Sequence, residues 1–274
     1  MNKTLVNRIA IGVLWFMAAC TVAVLGALLL YVFWNGISVI RPSFIFTWPH
    51  GVNSEGGIWP TIVSTIHVTG LAMVISTPIA VLAAVYLAEY AYQGRVVSAI
   101  RFAADSLASV PSIVMGLFGF ALFVEAMGLG LSMISAALAL SLLMLPIIMR
   151  ATEEAIRSVP KYMRWGSYGL GATKWQTVSK IVLPTAAPRI ITGIVLAMGR
   201  AVGETAVVLY TMGQAVNLPV TPLDSGRPMT GHLYLLAVEG INLPAAFGTA
   251  LLLIVMILSF NLSARWILSR YRKV

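Results

Sequence analysis

Six long apolar stretches, separated by shorter polar ones, run along the chain. They fall at Ile9–Phe33, Ile62–Tyr90, Ile100–Met127, Leu131–Met149, Ile190–Met212 and Leu243–Leu268. A helix of about 20 mostly apolar residues crosses the hydrocarbon of a bilayer. Each stretch therefore predicts a spanning helix, and together they predict an all-α integral membrane protein with about six transmembrane helices. Pro78 predicts a kink inside the second. Val110-Pro111-Ser112 interrupts the third, and Pro146 lies near the end of the fourth.

One interval breaks this rhythm. Arg150–Arg189 is polar and basic, and it has an internal order. Pro160 predicts a break, and Gly166, Gly169 and Gly171 predict a bend. A short helix follows over Thr173–Val182, with Pro184 and Pro188 ending it. Leu170, Trp175, Val178 and Val182 recur at spacings that put them on one helix face. Lys174, Gln176, Thr177 and Lys180 take the other. Such a helix is too short to span, and its pattern predicts a docking element.

Charge sets the expected orientation. The 274 residues are 59% hydrophobic and 10% charged, with net charge +9, whereas a soluble domain carries about a quarter charged residues. With the N-terminus inside, the inner side holds Lys3, Arg8, Arg95, Arg101, the Lys and Arg of 150–189, Arg265 and a basic tail at 269–274. The outer side holds only Arg41 and Arg227, and Arg200 lies within a span. Positive charge collects on the cytoplasmic side, so both termini and the 150–189 loop are expected in the cytoplasm. The outer loops, Asn35–Pro60 and Gly213–Asn242, carry Trp34, Trp48 and Trp59, which suit headgroup depth.

The excess charge is explained by this orientation, and no nucleic-acid motif accompanies it. Cys20 is the single cysteine, so no internal disulfide or thiolate metal site is expected. His50, His67 and His232 show no metal spacing. His67 reads as a hydrogen-bonded residue of the bundle. Met17-Ala18-Ala19-Cys20 resembles a lipoprotein cleavage box, but the apolar run continues to Val32 and reads as a retained span. No phosphate loop of the G-x-x-x-x-G-K-[ST] form occurs.

Arg200 and Glu204 stand out within the fifth apolar stretch, in Gly199-Arg-Ala-Val-Gly-Glu-Thr205. A charge at the centre of a spanning helix costs about 2.5–3.5 kcal/mol on the insertion scale, so such groups face a bundle interior or a wet path. Their spacing puts both on one face. Gly199 and Gly203 form a small-xxx-small pair that admits a close neighbouring helix. One reading makes Arg200 an oxyanion attractor, since its planar fork bonds two oxygens at once, with Glu204 holding it or gating. The other makes the two a permanent structural pair. Glu89 and Asp105 read as interfacial partners of Arg95 and Arg101.

Gly171, Ile181, Leu183 and Pro184, at their spacing, resemble the "EAA" signature of the importer permeases of the ABC transporter superfamily. The acidic residue that opens that signature is replaced here by Trp165. Thr192–Ala206 resembles a span of phosphate ABC importer permeases, as do Tyr86–Tyr90, Val110–Val114 and Leu170–Thr173. Gly56-Gly57-Ile58 and Glu204-Thr205-Ala206 are similar to the PstA type.

The resemblance implies a type I, MetI-like permease fold with cytoplasmic coupling helices. It divides the chain into a first helix and outer loop (1–60), a permease core (61–268) containing the coupling loop (150–189), and the tail. Leu170, Gly171, Ala172, Thr173, Trp175, Ile181, Leu183 and Pro184 would couple to an ATPase, and Arg200 and Glu204 would line the path. ATP and Mg would sit on a PstB-type ATPase dimer, with no cofactor, metal or catalytic residue on this chain. A PstC-type permease and an extracytoplasmic PstS-type phosphate-binding protein would complete an assembly in the inner membrane. Three alternatives stay open: another oxyanion such as sulfate or molybdate, the PstC-type role, and, in a different class, a proton-driven carrier.

Overall fold

A computed structural model describes residues 3–50, 55–92 and 94–271, nearly all of them helical. Helix α1 (Lys3–Ile37) leads to a short α2 (Pro42–Phe46) and a two-residue antiparallel pair, β1 (Pro49–His50) with β2 (Glu55–Gly56). Helices α3 (Trp59–Val85), α4 (Arg95–Ser109), α5 (Ser112–Gly119) and α6 (Met133–Arg157) follow. Then come α7 (Lys161–Gly169), α8 (Lys174–Thr177), α9 (Leu183–Val202), α10 (Ala206–Thr211), α11 (Met229–Val238) and α12 (Leu243–Tyr271). Residues 272–274 of the expected basic tail lie outside the described residues.

Among the described residues, five helices are long and apolar enough to cross a membrane, or six if one bent pair forms a span. The bent pair corrects the third expected span. Helices α4 and α5 meet at 101°. Pro111 is the cause: it has no N–H, and it pushes the preceding residue out of the helical region. Val110 accordingly has φ −66° and ψ 130°. Helix α4 is amphipathic and turns away from the α5 axis. Val97 is buried, while Val96 and Phe102 are exposed.

The fifth expected span is also displaced. The helix starts at Lys174, runs unbroken through Pro184 and Pro188, and stops at Val202. The two prolines therefore do not end the loop helix. Pro184 removes a donor and its ring would press on the carbonyl four residues back. The turn before it, Val178–Val182, widens to the π form and absorbs the conflict. Similar π-turns extend α3 at Tyr86–Tyr90 and α5 at Phe120–Ala126.

Helix α6 is the centre of the bundle. It packs along α3, where Ala72, Ala80 and Ala84 are fully buried against a core that includes Leu140, Met144 and Ile148. Small residues let the two backbones approach, and Ser141 donates to the Ala72 carbonyl at 3.1 Å. On its other side α6 crosses α9 at Gly193, where an added Cβ would collide with the Cβ of Ala151. Helix α1 stands apart. It touches α12 near its C-terminal end, with Gly36 against Phe247 and Leu251 and Tyr31 edge-on to Phe247 at 5.5 Å. Its other large apolar side chains, such as Trp15 and Phe16, are exposed.

The two ends of the bundle differ. One gathers Arg101, Arg150, Arg157, Arg164 and Lys174 with Glu89, Asp105 and Glu153. The opposite end is closed by the loop before α11. There Met133 and Ile134 donate backbone N–H groups to the carbonyls of Asp224 and Pro222. Asp224 accepts from the backbone N–H and the hydroxyl of Thr221 and from the backbone N–H of Val220, which holds its carboxyl below the usual range.

The Gly193 crossing is directly testable. Gly193→Leu should lower the thermal midpoint of the solubilised protein, because overpacking a close contact costs about 1–3 kcal/mol. Gly193→Ala should be milder, and Ala151→Gly should recover most of its loss. An equal loss with and without Ala151→Gly would show that the crossing is not the cause.

Candidate functional site: a braced loop and a charged break

Helix α7 ends in a cap built around Gly171. That residue has φ +82°, which an L side chain adopts only with strain. Its N–H donates to the Tyr168 carbonyl at 3.0 Å, and the N–H of Ala172 donates to Ser167 at 3.2 Å. This is the Schellman pattern that satisfies the last carbonyls of a helix. Thr173 then opens α8 with a capping box. The Thr173 Oγ1 accepts from the Gln176 N–H, and the Gln176 side chain accepts from the Thr173 N–H. A tight stop and a tight start thus fix the angle between α7 and α8.

The single apolar face expected for α8 is divided. Val178 and Val182 are fully buried beside Val85, Ile156 and Ile190. Thr177, expected on the polar face, is also buried, with its hydroxyl 2.9 Å from that of Ser167. Leu170 and Trp175 point away, 91% and 62% exposed, and Trp165 and Tyr162 are exposed with them. Leu170 belongs to the end of α7, before the turn at Gly171, and Trp175 lies on the first turn of α8 facing away from the bundle, so spacing alone misplaced the face. Gly166, Leu170, Ile181 and Pro184 border a shallow groove between α7 and the start of α9. Leu183 is half-buried.

Charged contacts tie α7 to the end of α3 and α4 to the end of α6, and they correct the expected pairing. Glu89 pairs with Arg164, whose Nε and Nη2 donate to its Oε1 at 3.0 and 2.7 Å. Arg164 also donates to the carbonyls of Val159 at 2.6 Å and Ile156 at 2.9 Å. Asp105 pairs with Arg150. Arg101 reaches Glu153 at 2.7 Å, and Arg157 meets the same carboxylate at 2.7 Å. Lys174 lies over the Tyr90 ring, 4.9 Å from its centroid. Nothing in sequence separation links Glu89 to Arg164. The Glu153–Arg157 spacing of four was a readable signal, although the pairing with Arg101 was not.

Arg200 and Glu204 are brought together, but not on one continuous helix face. Arg200 is in the last turn of α9, Gly203 caps it, and Glu204 lies in the unwound link before α10. Nε of Arg200 is 3.7 Å from Oε1 of Glu204, with the two side chains 48% and 11% exposed. A cation in the last turn also suits the negative end of the helix dipole. The Glu204 carbonyl accepts from the Thr230 hydroxyl of α11 at 2.9 Å. The close helix approach expected at Gly199 and Gly203 is not made by this chain. A Cβ on Gly199 would meet only the Asn261 amide, at 3.8 Å, and one on Gly203 only its own helix. His67, expected within the bundle, faces outward.

These features define a multi-pass helical membrane protein in which a rigid loop, braced on two helix ends, leads through one continuous helix to a charged break. The chain belongs to the family of binding-protein-dependent transport system inner membrane components, whose pattern matches residues 76–273. A probable ABC transporter permease protein, YqgI of Bacillus subtilis (strain 168), is 36% identical over 97% of this chain and 96% of its own length. The phosphate transport system permease protein PstA 1 of Mycobacterium tuberculosis (strain ATCC 25618 / H37Rv) is 39% identical, covering 83% of this chain and 77% of the relative.

Two solved structures share the fold. A bacterial ABC transporter involved in import of the acidic polysaccharide alginate superposes with TM-score 0.66 at 15% identity, over 98% of this chain and 99% of its own. The MetNI methionine ABC transporter gives 0.59 at 23% identity, over 78% and 94%. The fold is therefore the MetI-like permease fold that the EAA-like residues implied.

The loop brace makes a quantitative prediction. Glu89→Gln alone should cost about 3–5 kcal/mol, because it strands a buried guanidinium. Glu89→Leu combined with Arg164→Met should recover a large part of that loss in the thermal unfolding of the solubilised chain. Additive losses would show that the two groups do not act as a pair.

Proposed function

We propose that this chain is a PstA-type permease subunit that carries inorganic phosphate across the cytoplasmic membrane by alternating access. The energy comes from an ATPase dimer on separate polypeptides, which binds ATP and Mg. The observation that carries the ATPase part is the braced loop. Leu170 and Trp175 are large, apolar and exposed on an element that is otherwise locked down. Exposed apolar anchors on a rigid support are what a docking partner needs. Gly171, Ala172 and Thr173 fix the angle of that element. Ile181, Leu183 and Pro184 form the turn that passes it into α9.

Motion at the loop has three routes inward. Arg164 pulls on Glu89 at the end of α3, and Val178 with Val182 presses on the ends of α3 and α6. The continuous helix from Lys174 to Val202 ends at Arg200. ATP binding stabilises one of two states, and only a difference in affinity between the states can shift them. A single-strand link at Gly203–Thr205 is the weakest point on this route and the natural place for the change to be expressed.

Phosphate is supported by relatives named PstA that are 34–39% identical over about four-fifths of the chain, and by the guanidinium of Arg200, whose side chain is half exposed at the break. On this reading both termini and the braced loop are cytoplasmic. A PstC-type permease is the second half of the path, and an extracytoplasmic phosphate-binding protein docks at the opposite end.

The test is ATP-dependent uptake of labelled phosphate by the full complex in vesicles, with sulfate or molybdate in excess. Uptake that ignores both competitors supports the reading, and competition by either would replace phosphate with that anion. Arg200→Gln should lower uptake at least tenfold. Leu170→Glu with Trp175→Glu should leave the chain folded but remove most of the copurifying ATPase. Full retention of the ATPase would sink the docking assignment.

A further inference from the structure

A second polar cluster lies beyond the break, and neither the loop nor the Arg200–Glu204 pair uses it. Helix α11 is too short to cross a membrane. It lies against α3 and α12, with the Met229 N–H on the Thr65 hydroxyl at 2.8 Å and the Thr230 hydroxyl on the Glu204 carbonyl. Two residues further on is His232, 1% exposed, and neither ring nitrogen has a hydrogen-bond partner among the described residues. The Gln214 side chain borders Gly231, 3.6–3.8 Å from where that residue's Cβ would be. Both polar atoms of its amide are buried without partners among the described residues.

Ser64, fully buried, is equally unpartnered, and its Oγ lies 3.0 Å from the Cβ position of Gly226. Arg227 donates Nε and Nη2 to the Gln214 backbone carbonyl at 3.0 and 2.8 Å, and its charge reaches His232.

Burying this many polar groups without partners is costly, and they share one property. A hydroxyl, a primary amide, an imidazole and a guanidinium all offer hydrogen-bond donors. Arg227 keeps N–H groups beyond the two it spends on Gln214. The carboxylate whose charge reaches Arg227, Glu239, is exposed. Burial, and then the Arg227 charge, hold the His232 imidazole down to about 4, so it is neutral and Arg227 is the cluster's net charge.

We propose that Ser64, Gln214, Arg227 and His232 form an oxyanion-binding station for inorganic phosphate, one step along the path from Glu204 toward the outer face. This rests on the reading of the chain as a phosphate permease. Thr230 ties the station to the break, so an anion released by one charged group finds donors at the next.

The test uses the assembled complex in lipid vesicles, with Cys20→Ser and Ser64→Cys in this chain. Labelling of position 64 by a small methanethiosulfonate reagent is followed in each nucleotide state. We expect labelling in at least one state, slowed at least tenfold by phosphate and not by chloride. Arg227→Gln and His232→Leu should each erase that protection while the ATPase still copurifies. Labelling that phosphate does not slow, in a complex that imports phosphate, would overturn the station and leave a hydrated polar cluster. So would a position 64 that is never labelled, which would mark a sealed structural cluster. If the unmodified complex imports no phosphate, the functional reading fails first. Protection by the anion that it does import then tests the station separately.

Discussion

The guanidinium of Arg164 is the contact on which the placement of α7 depends. It is buried with the carboxylate of Glu89, and it also caps two carbonyls at the end of α6. Removing two charges from water is expensive, and a buried pair offsets that cost only when its remaining donors are satisfied. Arg164 meets that condition with hydrogen bonds to three residues. The pair contributes less to net stability than to uniqueness, because α7 has one position in which all these bonds form. Around it, Val178 and Val182 complete a small apolar core that belongs as much to the loop as to the spans.

The same demand of backbone groups for partners explains the irregularities of the spans. No water in a bilayer core can satisfy a freed N–H or C=O, so a broken helix needs partners from the protein. The bend at Pro111, the π-turns and the link at Gly203–Thr205 each fall beside packed neighbours. The Glu204 carbonyl finds the Thr230 hydroxyl, and the carbonyl of Tyr86 finds the N–H of Ala91 at 2.8 Å. The wide turn at Val178–Val182 lets a proline-containing helix run on from loop to break without interruption. The helix runs on through Pro184 because the conflict is spread over the five residues of that turn.

The structure thus has a stiff entry and a soft exit. The loop is capped, bridged and packed. The break carries a cation at a helix terminus, a long ion pair and a single hydrogen bond to α11.

By itself the sequence determined that the chain is helical and membrane-embedded, because apolar runs of spanning length have no other stable state in a bilayer. It also marked Gly171 and the helix after it, since a positive φ and a capping box are local properties. Tertiary structure decided the rest. Pro111 could have kinked a span or split it, and only the folded chain shows two helices meeting at 101°. Glu89 could have met the nearby Arg95 or Arg101, but the fold brings Arg164 to it from 75 residues away. The apolar face of α8 was legible as residue types but not as directions. Docking against α3 and α6 buries Val178 and leaves Trp175 outside. Periodicity reports which residues avoid water. Which of them meet each other, and which stay exposed, depends on contacts that no single segment contains.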